Sequence, residues 1–109
     1  MRLAYVMKFV ADMDAAVSFY RDTVGLKLKF QSPEWSEFDT GETTLALHLA
    51  TAEHPAGQCQ IGFRPPDLDA FYAQTTQYGV RYTSPPTQER WVRIARFLDY
   101  DGAEVSVSG

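Results

Sequence analysis

The sequence repeats itself once. Asp12-Met13-Asp14-Ala15 is answered by Asp67-Leu68-Asp69-Ala70, and Gly25-Leu26-Lys27 by Gly79-Val80-Arg81. The period is about 54 to 55 residues, with a helix-start signal and a helix-stop signal at matching offsets. A chain of 109 residues holds two such units, which excludes a solenoid, since stacked repeats become stable only at about three copies or more. Each unit is too small to enclose a core of its own, so the pair is expected to share one apolar interior.

Within the first unit, Leu3 to Val10 alternates with period two, separating Tyr5, Met7 and Phe9 from Ala4, Val6, Lys8 and Val10, which predicts a strand. Asp12 is placed to cap a helix, and Met13, Ala16, Val17, Tyr20 and Val24 form its apolar stripe. Gly25 ends it. Leu26 to Gln31, Trp35 to Asp39 and Thr43 to Leu49 read as strands joined by Ser32-Pro33-Glu34 and Asp39-Thr40-Gly41-Glu42. A polar stretch carrying Pro55 and Gly57 then connects to the second unit.

That unit follows the same plan. Gln58 to Arg64 is a predicted strand, Pro65-Pro66 a stop, and Asp67 a cap for a helix that presents Leu68, Phe71, Tyr72 and Thr75 on one face. Val80 to Thr83, Arg90 to Leu98 and Ala103 to Ser108 supply further strands, separated by Ser84-Pro85-Pro86 and by Asp99-Tyr100-Asp101-Gly102. The fold class is α+β, a tandem of βαβββ modules: module 1 over about 1–50, a linker over about 51–57 and module 2 over about 58–109, together a single domain. A ferredoxin-like sandwich would leave strands over.

The balance of 14 acidic against 10 basic residues, a net charge of −4, sets the average field against a phosphate backbone, so no nucleic-acid partner is expected. No apolar run approaches the ~18 residues of a membrane span, and the amino terminus runs into a strand pattern rather than a leader. The lone Cys59 cannot form an internal bridge. A cytoplasmic protein is expected. Phosphate loops, nucleophile elbows and His-Glu-x-x-His helices are missing.

Phe19-Tyr20-Arg21-Asp22-Thr23-Val24-Gly25-Leu26 and Phe97-Leu98-Asp99-Tyr100-Asp101-Gly102, set within paired βαβββ modules, resemble the recurrent signatures of the vicinal oxygen chelate superfamily. That superfamily contains glyoxalase I, bleomycin-resistance proteins and extradiol dioxygenases. The resemblance spans nearly the whole chain and implies a half-barrel pair of the glyoxalase/bleomycin-resistance type, each sheet curved into a cup. It also implies four seats for a divalent metal ion, which fall here on Tyr5, Ala46, Gln60 and Ser106. The family normally fills them with His or Gln, Glu, His and Glu. An alanine donates nothing, and neutral Tyr and Ser are poor ligands, so no metal or other cofactor is expected. A displaced site of His48, Gln60 and Glu104 is the metal-binding alternative.

The expected ligand-binding residues are Tyr5, Met7, Phe9, Trp35, His48, Gln60, Arg64, Trp91 and Ser106. Residues at i±2 share a strand face, and a concave apolar surface with a few polar groups suits a small molecule. Met7 and Phe9 serve equally well as core filling, Trp35 and Trp91 as ordinary packing, and Arg64 as an exposed strand end. His54, in a polar loop, is expected to be solvated, and a reactive role for Cys59 has little in its favour. The first functional reading is a metal-free cup that binds a hydrophobic or aromatic small molecule. The second is a glyoxalase-like lyase or isomerase, dependent on metal or moving a proton through His48 and Glu104. The third is a structural or regulatory dimer with a vestigial pocket. A homodimer is expected under each.

Overall fold

Each helix begins where a short carboxylate replaces the missing backbone partner. Asp12 (φ −134°, ψ 107°) accepts from the Ala15 amide at 3.1 Å, and Asp67 (φ −143°, ψ 107°) accepts from the Ala70 amide at 3.1 Å. Gly25 and Gly79, both with φ 87°, carry the chain out of the two helices. The sequence echo is therefore a repeat of geometry as well as of letters. The structure, a computed structural model, describes residues 1–109.

The elements run β1 (Arg2–Val10), α1 (Met13–Ser18) with a π-helical turn over Phe19–Thr23, β2 (Lys27–Gln31), β3 (Trp35–Asp39), β4 (Thr44–Leu49), β5 (Cys59–Arg64), α2 (Leu68–Gln77), β6 (Tyr82–Glu89), β7 (Val92–Leu98) and β8 (Glu104–Ser108). Contacts divide the chain into two compact units, Ala4–Gln60 and Ile61–Gly109 with Met1–Leu3. In the first, the strand order is β2-β3-β4-β1. Here β1 and β4 run parallel and the other pairs antiparallel. The second has the order β5-β8-β7-β6, again with one parallel pair, β5 and β8. Each is a βαβββ module, with the long helical crossover that a parallel pair requires.

In the first unit the helix covers one face of the sheet. Val10, Met13, Val17, Phe38 and Leu47 form its core, with Phe38 and Leu47 fully buried. In the second, α2 packs Leu68 and Phe71 against Phe63, Ala95, Phe97, Val107 and Tyr82. Tyr82 meets the Thr75 hydroxyl at 2.7 Å. Burial pushes its phenol above the ordinary range, while the bond to Thr75 pulls the other way.

Three local expectations change. Val24 is half exposed and not part of the buried stripe. The Val24 amide bonds the Phe19 carbonyl at 3.0 Å, and this wider turn shifts the helical phase before the last stripe position is reached. Ser84-Pro85-Pro86 does not interrupt a strand: β6 runs through it. Because β6 lies at the sheet edge, its prolines forfeit no ladder bond toward an outer neighbour, and the pairing with β7 shifts register there. The strand predicted from Arg90 starts at Val92, since Glu89 pairs with Val92 and leaves Arg90-Trp91 as a two-residue hairpin turn.

A Cβ on Gly79 would meet nothing within 4 Å, so Gly79→Ala tests the backbone alone. Its left-handed φ should cost about 1–2 kcal/mol in urea unfolding; an unchanged midpoint would mean that this conformation is not held.

Candidate functional site

The register of the first unit places the odd-numbered residues of β1 on the face away from α1. Across the strands, Phe9 stands opposite His48 and His48 opposite Trp35; Met7 stands opposite Ala46 and Ala46 opposite Glu37. Met7, Phe9 and Ala46 are buried together beneath Tyr5 and Trp35. The rings form a chain. Trp35 meets Tyr5 edge-on at 6.2 Å and His48 edge-on at 5.9 Å, and His48 lies 5.1 Å from Phe9. Such edge-to-face pairs fix one ring against the next as well as burying area.

Polar contacts hold two of these rings in place. The Trp35 indole N–H donates to Glu37 Oε2 at 2.8 Å, and the Lys29 ammonium lies 3.7 Å from Glu37 Oε1. His48 Nδ1 is 2.7 Å from the Leu49 carbonyl. A carbonyl only accepts, so Nδ1 carries the proton in the neutral ring and Nε2 keeps its lone pair for a donor. On the far side of Phe9, the His54 ring stacks at 4.7 Å with an interplanar angle of 11°. The solvated His54 expected from its polar loop is thus corrected. Gly57 and Gln58 bond the Phe9 backbone at 2.9 Å, which returns the loop to this strand.

Of the residues named from sequence, Tyr5, Met7, Phe9, Trp35 and His48 lie together on this face, and Gln60 is buried in the same unit. Arg64 and Ser106 belong to the other unit, where fully buried Ser106 stands opposite Gly62 and Arg96. Arg96 makes a two-pronged pair with Glu89, at 3.0 and 3.3 Å. Glu104 accepts from the Thr83 hydroxyl at 2.8 Å. Trp91 does not rim a ring cluster: it stands 88% exposed at the hairpin tip, with the Arg90 guanidinium 5.9 Å from its ring. Glu37 and Lys29 were not named from sequence, although Glu37 follows Trp35 by two positions in a period-two strand.

The donor set does not fit a divalent cation. Ala46 offers a methyl group at 0% exposure among apolar neighbours, and the Tyr5 ring is turned against Trp35. Gln60 and Ser106 add only an amide and a hydroxyl. No group of three or more His, Cys, Asp or Glu side chains is placed to hold a metal ion; of the alternative set, His48 and Gln60 lie in the first unit and Glu104 in the second. No helix is long and apolar enough to cross a membrane.

Comparison with known proteins adds a family. The model described as the Glyoxalase/Bleomycin resistance protein/Dioxygenase superfamily matches residues 2–107. An uncharacterized protein, YraH, of Bacillus subtilis (strain 168) is 28% identical over an alignment of 118 residues, spanning 93% of this chain and 92% of that one. Among solved structures, methylmalonyl-CoA epimerase from Mycobacterium tuberculosis superposes with a TM-score of 0.78 at 20% identity, covering 97% of this chain and 85% of that one. A glyoxalase/bleomycin resistance protein/dioxygenase superfamily member from Vibrio splendidus 12B01 superposes with a TM-score of 0.74 at 16% identity, covering 98% and 97%. At these identities the two structures share the fold.

Proposed function

Since the chain belongs to the glyoxalase/bleomycin resistance protein/dioxygenase superfamily, we propose that it binds a hydrophobic or aromatic small molecule, without a metal ion, on the face of its first module that lies away from α1. The observation that carries this reading is the ring chain Tyr5, Trp35, His48 and Phe9. It surrounds the apolar Ala46, where a member of the family that used a metal would carry a charged ligand. Flat ligands gain area and edge contacts from such walls. His48 Nε2 gives one acceptor, which favours a ligand bearing an N–H or O–H group. Glu37 contributes less, because its oxygens already face the indole N–H and the Lys29 ammonium.

Binding of this kind asks for shape and a dry surface, and no group on this face has to change protonation. A screen of planar aromatic compounds by thermal shift should find stabilising ligands, because a ligand that binds only the folded state raises the melting temperature. With such a compound in hand, His48→Ala and Trp35→Ala should each weaken binding about tenfold or more, the equivalent of roughly 1.4 kcal/mol. EDTA should leave the affinity unchanged. Affinity lost on chelation, or untouched by both substitutions, would overturn the reading.

A further inference from the structure

The other side of the same strand carries a groove that shares only Phe9 with the ring face. Lys8 lies on β1 between residues of the opposite parity to Met7 and Phe9, opposite Leu47 of the helix-side core. α1 packs over β3 and β4 and leaves Lys8 at its flank. There a groove of about 420 Å³ opens between Ala15, Ala16 and Phe19 on one wall and Ala56 and Gly57 on the other, with Lys8 also lining it.

The lining is apolar with one cation. Lys8 is partly buried and its ammonium makes no ion pair, whereas Arg21, Lys29, Arg93 and Arg96 each face a carboxylate. The single acidic residue in the lining, Asp12, spends an oxygen on the Ala15 amide. Phe19 is more than half exposed and is held by its edge contact with Tyr20 at 5.3 Å, while Tyr20 rests against buried Phe38 at 5.9 Å. The cleft therefore sets a solvent-facing aromatic ring and a cation without an ion pair side by side.

We propose that this groove is a second binding site, for an amphipathic monocarboxylate whose carboxylate pairs with Lys8 and whose hydrocarbon tail lies against Phe19 and the alanines of α1. Carboxylate rather than phosphate suits this lining, because one ammonium with the Asp12 carboxylate in the same groove tolerates one added negative charge better than two. The tail follows from the remaining lining, which offers contact area and few hydrogen bonds.

The test titrates the protein with decanoate below its micelle concentration, read amide by amide in NMR spectra. Saturable shifts should centre on Lys8, Ala15, Phe19 and Gly57 and spare Trp35 and Glu37, which separates this site from the ring face. Lys8→Gln and Phe19→Ser should each weaken decanoate at least tenfold, and decan-1-ol should bind the native protein at least tenfold more weakly than decanoate. Lys8→Arg should keep most of the affinity, and it stands in for the charge test if Lys8→Gln unfolds. Equal binding of the acid and the alcohol, shifts that never saturate, or indifference to Lys8→Gln would each overturn the proposal.

Discussion

Phe38→Ala should lower the unfolding free energy by about 3–5 kcal/mol, the cost of truncating a buried aromatic ring when the space left behind only partly collapses. Phe38 has no exposed surface and packs among Val10, Met13, Val17 and Leu47, with the Tyr20 ring 5.9 Å away. Domains of this size hold only about 5–15 kcal/mol in total. At an m-value of about 1–3 kcal/mol per molar urea, the midpoint should fall by on the order of 2 M. If the alanine variant does not fold at all, Phe38→Leu, which fills more of the cavity, should fold with a loss of about 1–2 kcal/mol. Losses below about 1 kcal/mol in both would mean that the helix-side core of the first module is not packed as described.

The reason Phe38 carries so much is visible in the local sequence, and so is the reason other residues were harder to place. In Trp35-Ser36-Glu37-Phe38-Asp39 strict alternation assigns Ser36 and Phe38 to the helix side and Trp35 and Glu37 to the other. Ser36 is buried there with its hydroxyl 3.3 Å from Met13 Sδ. The caps and stops of both modules were equally legible, because Asp before a helix and Gly after it act through the backbone of their own turn. β7 was not. Its two parities each hold one arginine among apolar residues, and only packing decides between them: Ala95 and Phe97 go to α2, Arg93 goes with them to reach Asp69 at 2.6 Å, and Arg96 faces the other way. The His54 stack on Phe9 was equally hidden, since it depends on how a loop returns and no periodicity encodes that.

The choice between a binding face and a disabled metal centre can be forced at Ala46. Ala46→Glu puts back the carboxylate that the family normally carries at this seat, and if the other seats could still hold an ion, nickel or zinc would stabilise the variant. The surroundings argue for a different result. Ala46 is fully buried among Met7 and Phe9 under Tyr5 and Trp35, so the longer side chain must displace packed rings, and the Lys29 ammonium beyond the facing Glu37 is already engaged by that carboxylate. Overpacking costs about 1–3 kcal/mol, and an unpaired buried polar group adds about 1–3 kcal/mol more, so the variant should lose several kcal/mol. The loss should also depend on pH in a definite sense. Burial raises the folded-state pKa of the new carboxyl above its unfolded value of about 4.3. The variant is then nearest to the parent at acid pH, where both states are protonated, and falls further behind as pH rises through the folded pKa. Urea midpoints for variant and parent, taken from mildly acidic to neutral pH with and without zinc, report both quantities. A gap that widens with pH and ignores zinc is the expected outcome. A gap closed by stoichiometric zinc would restore the metal centre and remove the ground for a metal-free reading of the face.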